Sequence, residues 1–239
     1  MRVAPILFCL SLAACATAPA GGVNDPYEPM NRRVHAFNKG LDATLLRPVA
    51  RAARGGDDAA PQGPGAMTLV GNFGSNLALP GKVVNSVLQG RPEPAVRNTF
   101  RFFVNSTLGL GGLLDPATAD FALPEIDTDF GETLHVWGVP EGAYLELPVL
   151  GPSTERDLAG KVVDLFIDPL DSVLTDEQKI AGTAARIVSK AGDRARFGST
   201  VDSVLHESAD SYAQTRLLYL QHRRFELKQE QDVIDPYAD

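Results

Sequence analysis

The residues that could carry chemistry come first, and their spacing assigns them none. His35, His135, His206 and His222 are scattered along 239 residues, with no pair at the intervals used for metal ligation. Ser153 lies in Gly151-Pro152-Ser153-Thr154, which is not a Gly-x-Ser-x-Gly nucleophile elbow. Gly109-Leu110-Gly111-Gly112 is not a dinucleotide fingerprint, and no phosphate-binding P-loop occurs. Asp127-Thr128-Asp129 opens like a calcium loop, but its glycine is misplaced and the closing glutamate is missing. Asp168, Asp171 and Asp176 read as helix-end acids, and Ser153 or Thr154 before Arg156-Asp157 as a helix cap. The expectation is a protein without catalytic residues, metal or cofactor. A tethered phospholipid hydrolase is the enzymatic rival, because serine and histidine are both available. An acidic chain, with net charge −8, also lacks the basic face that a nucleic-acid binder needs.

The elements that would position any site are helical. Met30, Val34, Phe37, Leu41 and Leu45 recur every three or four residues, predicting one helix from Glu28 to Leu46. Further helices are predicted at Pro80 to Leu88, Pro94 to Leu108, Asp129–Trp137, Arg156–Phe166, Glu177–Ala191 and Ser199–Lys228. Tyr144 to Leu150 alone reads as a strand, weakened by Pro148. The fold class expected is all-α. From Asp58 to Lys82 there are 23 uncharged residues, but Pro61, Pro64, Pro80 and five glycines interrupt them, so they are not a spanning helix. Phe102 to Leu114 is apolar and only 13 residues long. As a full helix it would cover about 20 Å of a roughly 30 Å hydrocarbon core. Phe102, Phe103, Leu108, Leu110 and Leu113 therefore form either a buried core hairpin or a segment dipping into one leaflet.

The N-terminus reads as an address. One positive charge, about ten apolar residues and Leu12-Ala13-Ala14-Cys15 make a secretory signal over residues 1–14 that is too short to span. The sequence ending at Cys15 resembles a bacterial lipobox, which would make Cys15 an acylated first residue on a flexible tether, residues 15–24. Ala16 after it implies sorting to the outer membrane. A helical domain over residues 25–228 and an acidic tail over 229–239 complete the expected organisation. Charge is unevenly spread. Pro26 to Gly112 carries 10 basic and 5 acidic residues, whereas Leu113 to Glu177 carries 2 and 15. Such asymmetry orients a molecule at a membrane unless folding interleaves the two segments.

Several motifs occur in one order: Asp25-Pro26-Tyr27-Glu28, Asn31-Arg32, Phe37-Asn38, Arg47-Pro48, Asn72-Phe73, Asn76-Leu77 and Leu88-Gln89-Gly90. Arg101 to Gly109, Asp129-Phe130-Gly131, Trp137-Gly138-Val139, Gly151-Pro152-Ser153 and Arg156-Asp157 follow. Together they resemble the MlaA/VacJ family of outer-membrane lipoproteins, from about Asp25 to Phe225. The longer Gly/Pro-rich loop around residues 55–65 departs from the family pattern. The resemblance implies a single domain of short amphipathic and apolar helices. They would form a ring half-embedded in the periplasmic leaflet, with a central channel, beside a trimeric porin. It implies removal of mislocalised phospholipid from the outer leaflet and its transfer to a soluble periplasmic carrier, maintaining lipid asymmetry. A structural porin-associated lipoprotein is the other rival. On this reading Asn31, Arg32, His35, Phe37, Asn38, Arg97 and Arg101 are candidate channel or headgroup contacts, and Phe37-Asn38 a candidate gate.

Overall fold

A computed structural model describes residues 23–48, 50, 65–172, 174–178, 180–182, 185 and 197–229. The signal, Cys15, the Gly/Pro-rich loop, most of the helix expected at Glu177–Ala191 and the tail lie outside these residues.

Helix α1 (Glu28–Leu41) continues into a π-helical turn, Asp42–Leu46, so the expected span is met by two geometries. The wide turn carries Asp42 into the interior. Helix α2 (Ala66–Leu88) begins 14 residues before the expected Pro80, which instead sits inside it. Glycines and a proline that read as breakers are carried here because α2 packs along α3 (Pro92–Thr107), where tertiary contact overrides propensity. A short helix, α4 (Pro116–Ala119), is capped by Asp115, and α5 (Phe130–Val136) by Asp129, whose carboxylate accepts from Glu132 N at 2.8 Å.

The single predicted strand is a hairpin. Strands β1 (Tyr144–Leu147) and β2 (Gly151–Thr154) pair antiparallel, Tyr144 opposite Thr154 and Leu147 opposite Gly151. Thr154 then caps α6 (Glu155–Ile167). The predicted helix Ser199–Lys228 divides into α7 (Gly198–Asp202) with a π turn to Glu207, and α8 (Ser211–Gln229). The break has a local cause. Ser208 turns extended, and the Asp210 carboxylate caps α8 by accepting from Ala213 N.

The polarity of the packing is reversed. The apolar core gathers around Tyr144, Tyr212 and Leu220. Asn31, His35, Asp42, Asn85, Asn98, Arg101, Asn105, Glu146 and Asp157 are all buried. Meanwhile Met30, Phe37, Val96, Phe103, Leu165 and Phe166 face outward, Phe166 at 82% exposure. Buried polar groups must be hydrogen-bonded, and large exposed apolar surface marks contact with something apolar. Among the described residues no helix is long and apolar enough to cross a membrane. The fold is thus predominantly helical, with one small hairpin.

Candidate functional site

Helix α1 shows the inversion residue by residue. Along it and the π turn that follows, the apolar positions Met30, Phe37 and Leu45 are exposed, and the polar stripe Asn31, His35 and Asp42 is buried. Asn31 fixes the helix to β1 by donating Nδ2 to the Tyr144 carbonyl at 3.1 Å and accepting from Glu146 N at 3.0 Å. The same Nδ2 donates to Asp25 Oδ1 at 2.9 Å. Two turns on, Asn38 donates to the Leu147 carbonyl at 2.9 Å and accepts from Val149 N at 2.8 Å. Val149 has φ +67°, a region that β-branched residues rarely enter, so Asn38 holds a strained hairpin tip in place.

Beside this stripe lies a cavity of about 380 Å³. Its polar side is made by His35, Asn38, Asp42 and Glu146, and its apolar side includes Leu41, Val149, Val204 and Leu218. Tyr144 Oη donates to Glu146 Oε2, and burial together with that carboxylate pushes the phenol far above its ordinary pKa. His206 Nε2 meets Asp42 Oδ2 at 2.9 Å across the two π turns.

Two groupings here test for chemistry. His35 Nε2 lies 3.1 Å from Ser211 Oγ, and its Nδ1 lies 3.5 Å from Glu146 Oε1. The order is that of a Ser-His-acid triad, but acyl transfer also needs free amides to receive the oxyanion. The amides of Tyr212 and Ala213 are already taken by the Asp210 carboxylate. That negative charge would repel an oxyanion. Asp42, Asp202 and His206 offer ligand atoms within 4.8 Å of one another, as a metal site would. His206 pairs with Asp42 and Arg47 with Asp202, which gives this cluster an ordinary ion-pair role.

A second polar centre joins α5, α6 and α8. Arg223 contacts Asp129 at 2.7 Å and Asp157 at 3.3 Å, and Tyr219 donates to Asp157 at 2.5 Å. Burial opposes ionisation of Asp157, but Arg223, the Tyr219 hydroxyl and Arg156 outweigh it and hold its carboxyl below the usual range. Burial and the Arg156 charge depress the pKa of His135. Here α5 and α6 touch backbone to backbone, for a Cβ on Gly160 would lie 2.2 Å from Gly131 N.

A model of the MlaA lipoprotein family matches residues 23–226. The chain belongs to the MlaA family. It is 35% identical over 221 residues to the intermembrane phospholipid transport system lipoprotein MlaA of Escherichia coli K12, spanning 90% of this chain and 83% of that one. The Haemophilus influenzae protein of the same name is 36% identical over 166 residues, covering 66% and 64%. A solved structure from work on the structural basis for maintenance of bacterial outer membrane lipid asymmetry superposes with TM-score 0.70 at 35% identity. It covers 85% of this chain and 98% of that one.

Within this MlaA fold the expected contact residues separate. His35 and Asn38 line the cavity, while Asn31 is enclosed in its anchoring bonds. Phe37 points outward at 56% exposure, away from its neighbour Asn38. Arg32 is exposed but satisfied: Asp210 grips it at 3.0 and 2.9 Å, and Glu28 at 2.8 Å. Arg97 is half-buried beside Glu93 at 2.5 Å. Arg101 departs from the expectation of a headgroup contact. It is 3% exposed and bonded to Asp115, Thr118 and the Leu123 carbonyl, so it staples α3 to the segment that follows. Of the apolar segment, Phe103, Leu108, Leu110 and Leu113 are exposed and Phe102 is half-buried, which rules out a buried core hairpin. Sequence reasoning missed Glu146 and Asp42 at the cavity, and His206 bonded to Asp42. The one available signal was that they interrupt otherwise apolar runs. Folding interleaves the two charged segments in part, since Lys82 pairs with Glu125, Arg91 with Glu132 and Arg101 with Asp115.

Proposed function

We propose that this chain sits in the periplasmic leaflet of the outer membrane and withdraws phospholipid that has strayed into the outer leaflet. One observation carries the reading: apolar side chains coat the outside, an open and mostly apolar cavity carries a polar strip of His35, Asn38, Asp42 and Glu146, and no described helix is long and apolar enough to cross a bilayer. A lipid-facing wall and a headgroup-tolerant interior are what a passage for an amphiphile requires. The transport system and lipid asymmetry named for its relatives agree with this role.

Finer features belong to the same proposal. The described helices form the wall of a ring around a central channel. Acylated Cys15 holds the chain on the periplasmic side, at roughly 0.8 kcal/mol per buried methylene. A trimeric porin is its neighbour in the membrane, and a soluble periplasmic carrier receives the lipid. The role is non-enzymatic, as the occupied amides beside Ser211 suggest. The test is complementation: in a strain lacking its own MlaA, the chain restores low outer-leaflet phospholipid and detergent resistance. A properly lipidated, abundant chain that left both at the deletion level would overturn the proposal. Mass spectrometry of the detergent-extracted protein should find phospholipid and porin subunits; a structural porin-associated lipoprotein would carry no phospholipid.

A further inference from the structure

Away from the cavity, an open groove of about 560 Å³ runs along the outer face of α3. One wall is Pro92, Val96 and Phe100, and the facing wall is Leu123, with Glu93 and Arg97 at the rim. Val96, Phe100 and Phe103 lie four and three residues apart, so the exposed face of the helix is one apolar stripe. The groove is preformed. Asn98 donates to the Ile126 carbonyl at 2.8 Å and accepts from Ile126 N at 3.3 Å, and Arg101 binds the Leu123 carbonyl. Phe121 closes edge-on against Phe100 at 5.9 Å. These polar staples fix the second wall without filling the space above it.

The rim supplies the chemistry. Glu93 and Arg97 are one helical turn apart, 2.5 Å between charged atoms, and both side chains are partly exposed. A cation and an anion side by side at the mouth of an apolar groove complement a ligand with the same layout. We infer that the groove binds a zwitterionic phospholipid, its phosphate on Arg97, its ammonium on Glu93 and one acyl chain against Val96, Phe100 and Leu123. An anionic lipid would offer Glu93 only repulsion. The distances fit a single leaflet. From Arg97 to Thr107 the helix rises about 15 Å, half of a hydrocarbon core of roughly 30 Å. The charged rim then stands at headgroup level and Phe103 lies deeper among the chains. This inference rests on the leaflet seat proposed above, but it concerns a site outside the passage.

The experiment uses the full lipidated chain with Phe100→Trp as reporter in a Trp137→Phe background. It is placed in nanodiscs containing phosphatidylethanolamine and phosphatidylglycerol, with bromine on the chains of one lipid at a time. Brominated phosphatidylethanolamine should quench the reporter as though enriched roughly two- to fivefold, the range of a partly exposed ion pair. The double variant Glu93→Gln/Arg97→Gln should abolish that preference. Equal quenching by both lipids, a preference that survives the double variant, or no quenching at all would each overturn the site. Native mass spectrometry of the chain with its own Phe100, against the same double variant, reads the preference without the reporter. Successful complementation with a groove indifferent to headgroup would sink this inference alone. Failed complementation with a headgroup-selective groove would sink only the transport reading.

Discussion

Replacing Asn31 by alanine should cost more stability than replacing the large aromatic residue on the opposite face of the same helix. Asn31 is 2% exposed and bonds two buried backbone groups, the Tyr144 carbonyl and Glu146 N-H. Truncation leaves both without a partner where water has no access. Each orphan costs about 1–3 kcal/mol, so a total of about 3 kcal/mol is a conservative sum. For a domain of this size that corresponds to a fall in Tm of roughly 6–12 °C. Phe37→Ala removes a ring that is 56% exposed and should shift stability in detergent by less than about 0.5 kcal/mol. The assay is thermal unfolding of detergent-solubilised protein followed by helical circular dichroism. The ordinary rule of apolar-inside packing ranks the two the other way. A Phe37→Ala cost equal to or above that of Asn31→Ala would refute the inverted packing on which the functional proposal stands.

Other outcomes follow from the same contacts. Gly160→Ala should destabilise by about 1–3 kcal/mol or more in the same melts, because the new methyl meets the Gly131 backbone rather than a movable side chain. Stability should fall as pH drops below about 6.5, where the unfolded chain takes up a proton that native His135, with its depressed pKa, still refuses. A second loss follows as pH falls through the native pKa of Asp157, held below the ordinary carboxylate value. Arg156→Gln should raise the His135 pKa in an NMR titration, since one cause of its depression is removed. Purified protein incubated with labelled phospholipid should release no fatty acid. Release that disappears in Ser211→Ala would establish the His35 grouping as catalytic.

Periodicity located α1, α3, α5 and α6 because their faces differ in polarity whichever way they point. It could not tell which face is inside, since polar and apolar side chains separate around α1 in the same way against lipid as against a core. The start of α2 was illegible for a different reason: Gly71, Gly74 and Pro80 are local helix breakers that only contact with α3 overrides. The hairpin was half visible, as Pro148 marked a weak point without revealing the turn that Asn38 supports. Of the cavity, His35 and Asn38 were legible from their place on a polar stripe. Glu146 and Val204 were not, because they come from 108 and 166 positions beyond Asn38. No local pattern encodes such a meeting.

The bonds that anchor α1 also constrain when the protein can form. Asn24 O accepts from Tyr144 N, and Asp25 is held by Tyr212 and Arg216 near the far end of the chain. Asn24 therefore lacks its partner until β1 has been synthesised, and Asp25 lacks its two until the last helix has been. Closing such long loops is slow. A chain built in this order leaves its first helix undocked until β1 has been made. Its architecture postpones the docking of the first helix to the second half of the chain's synthesis.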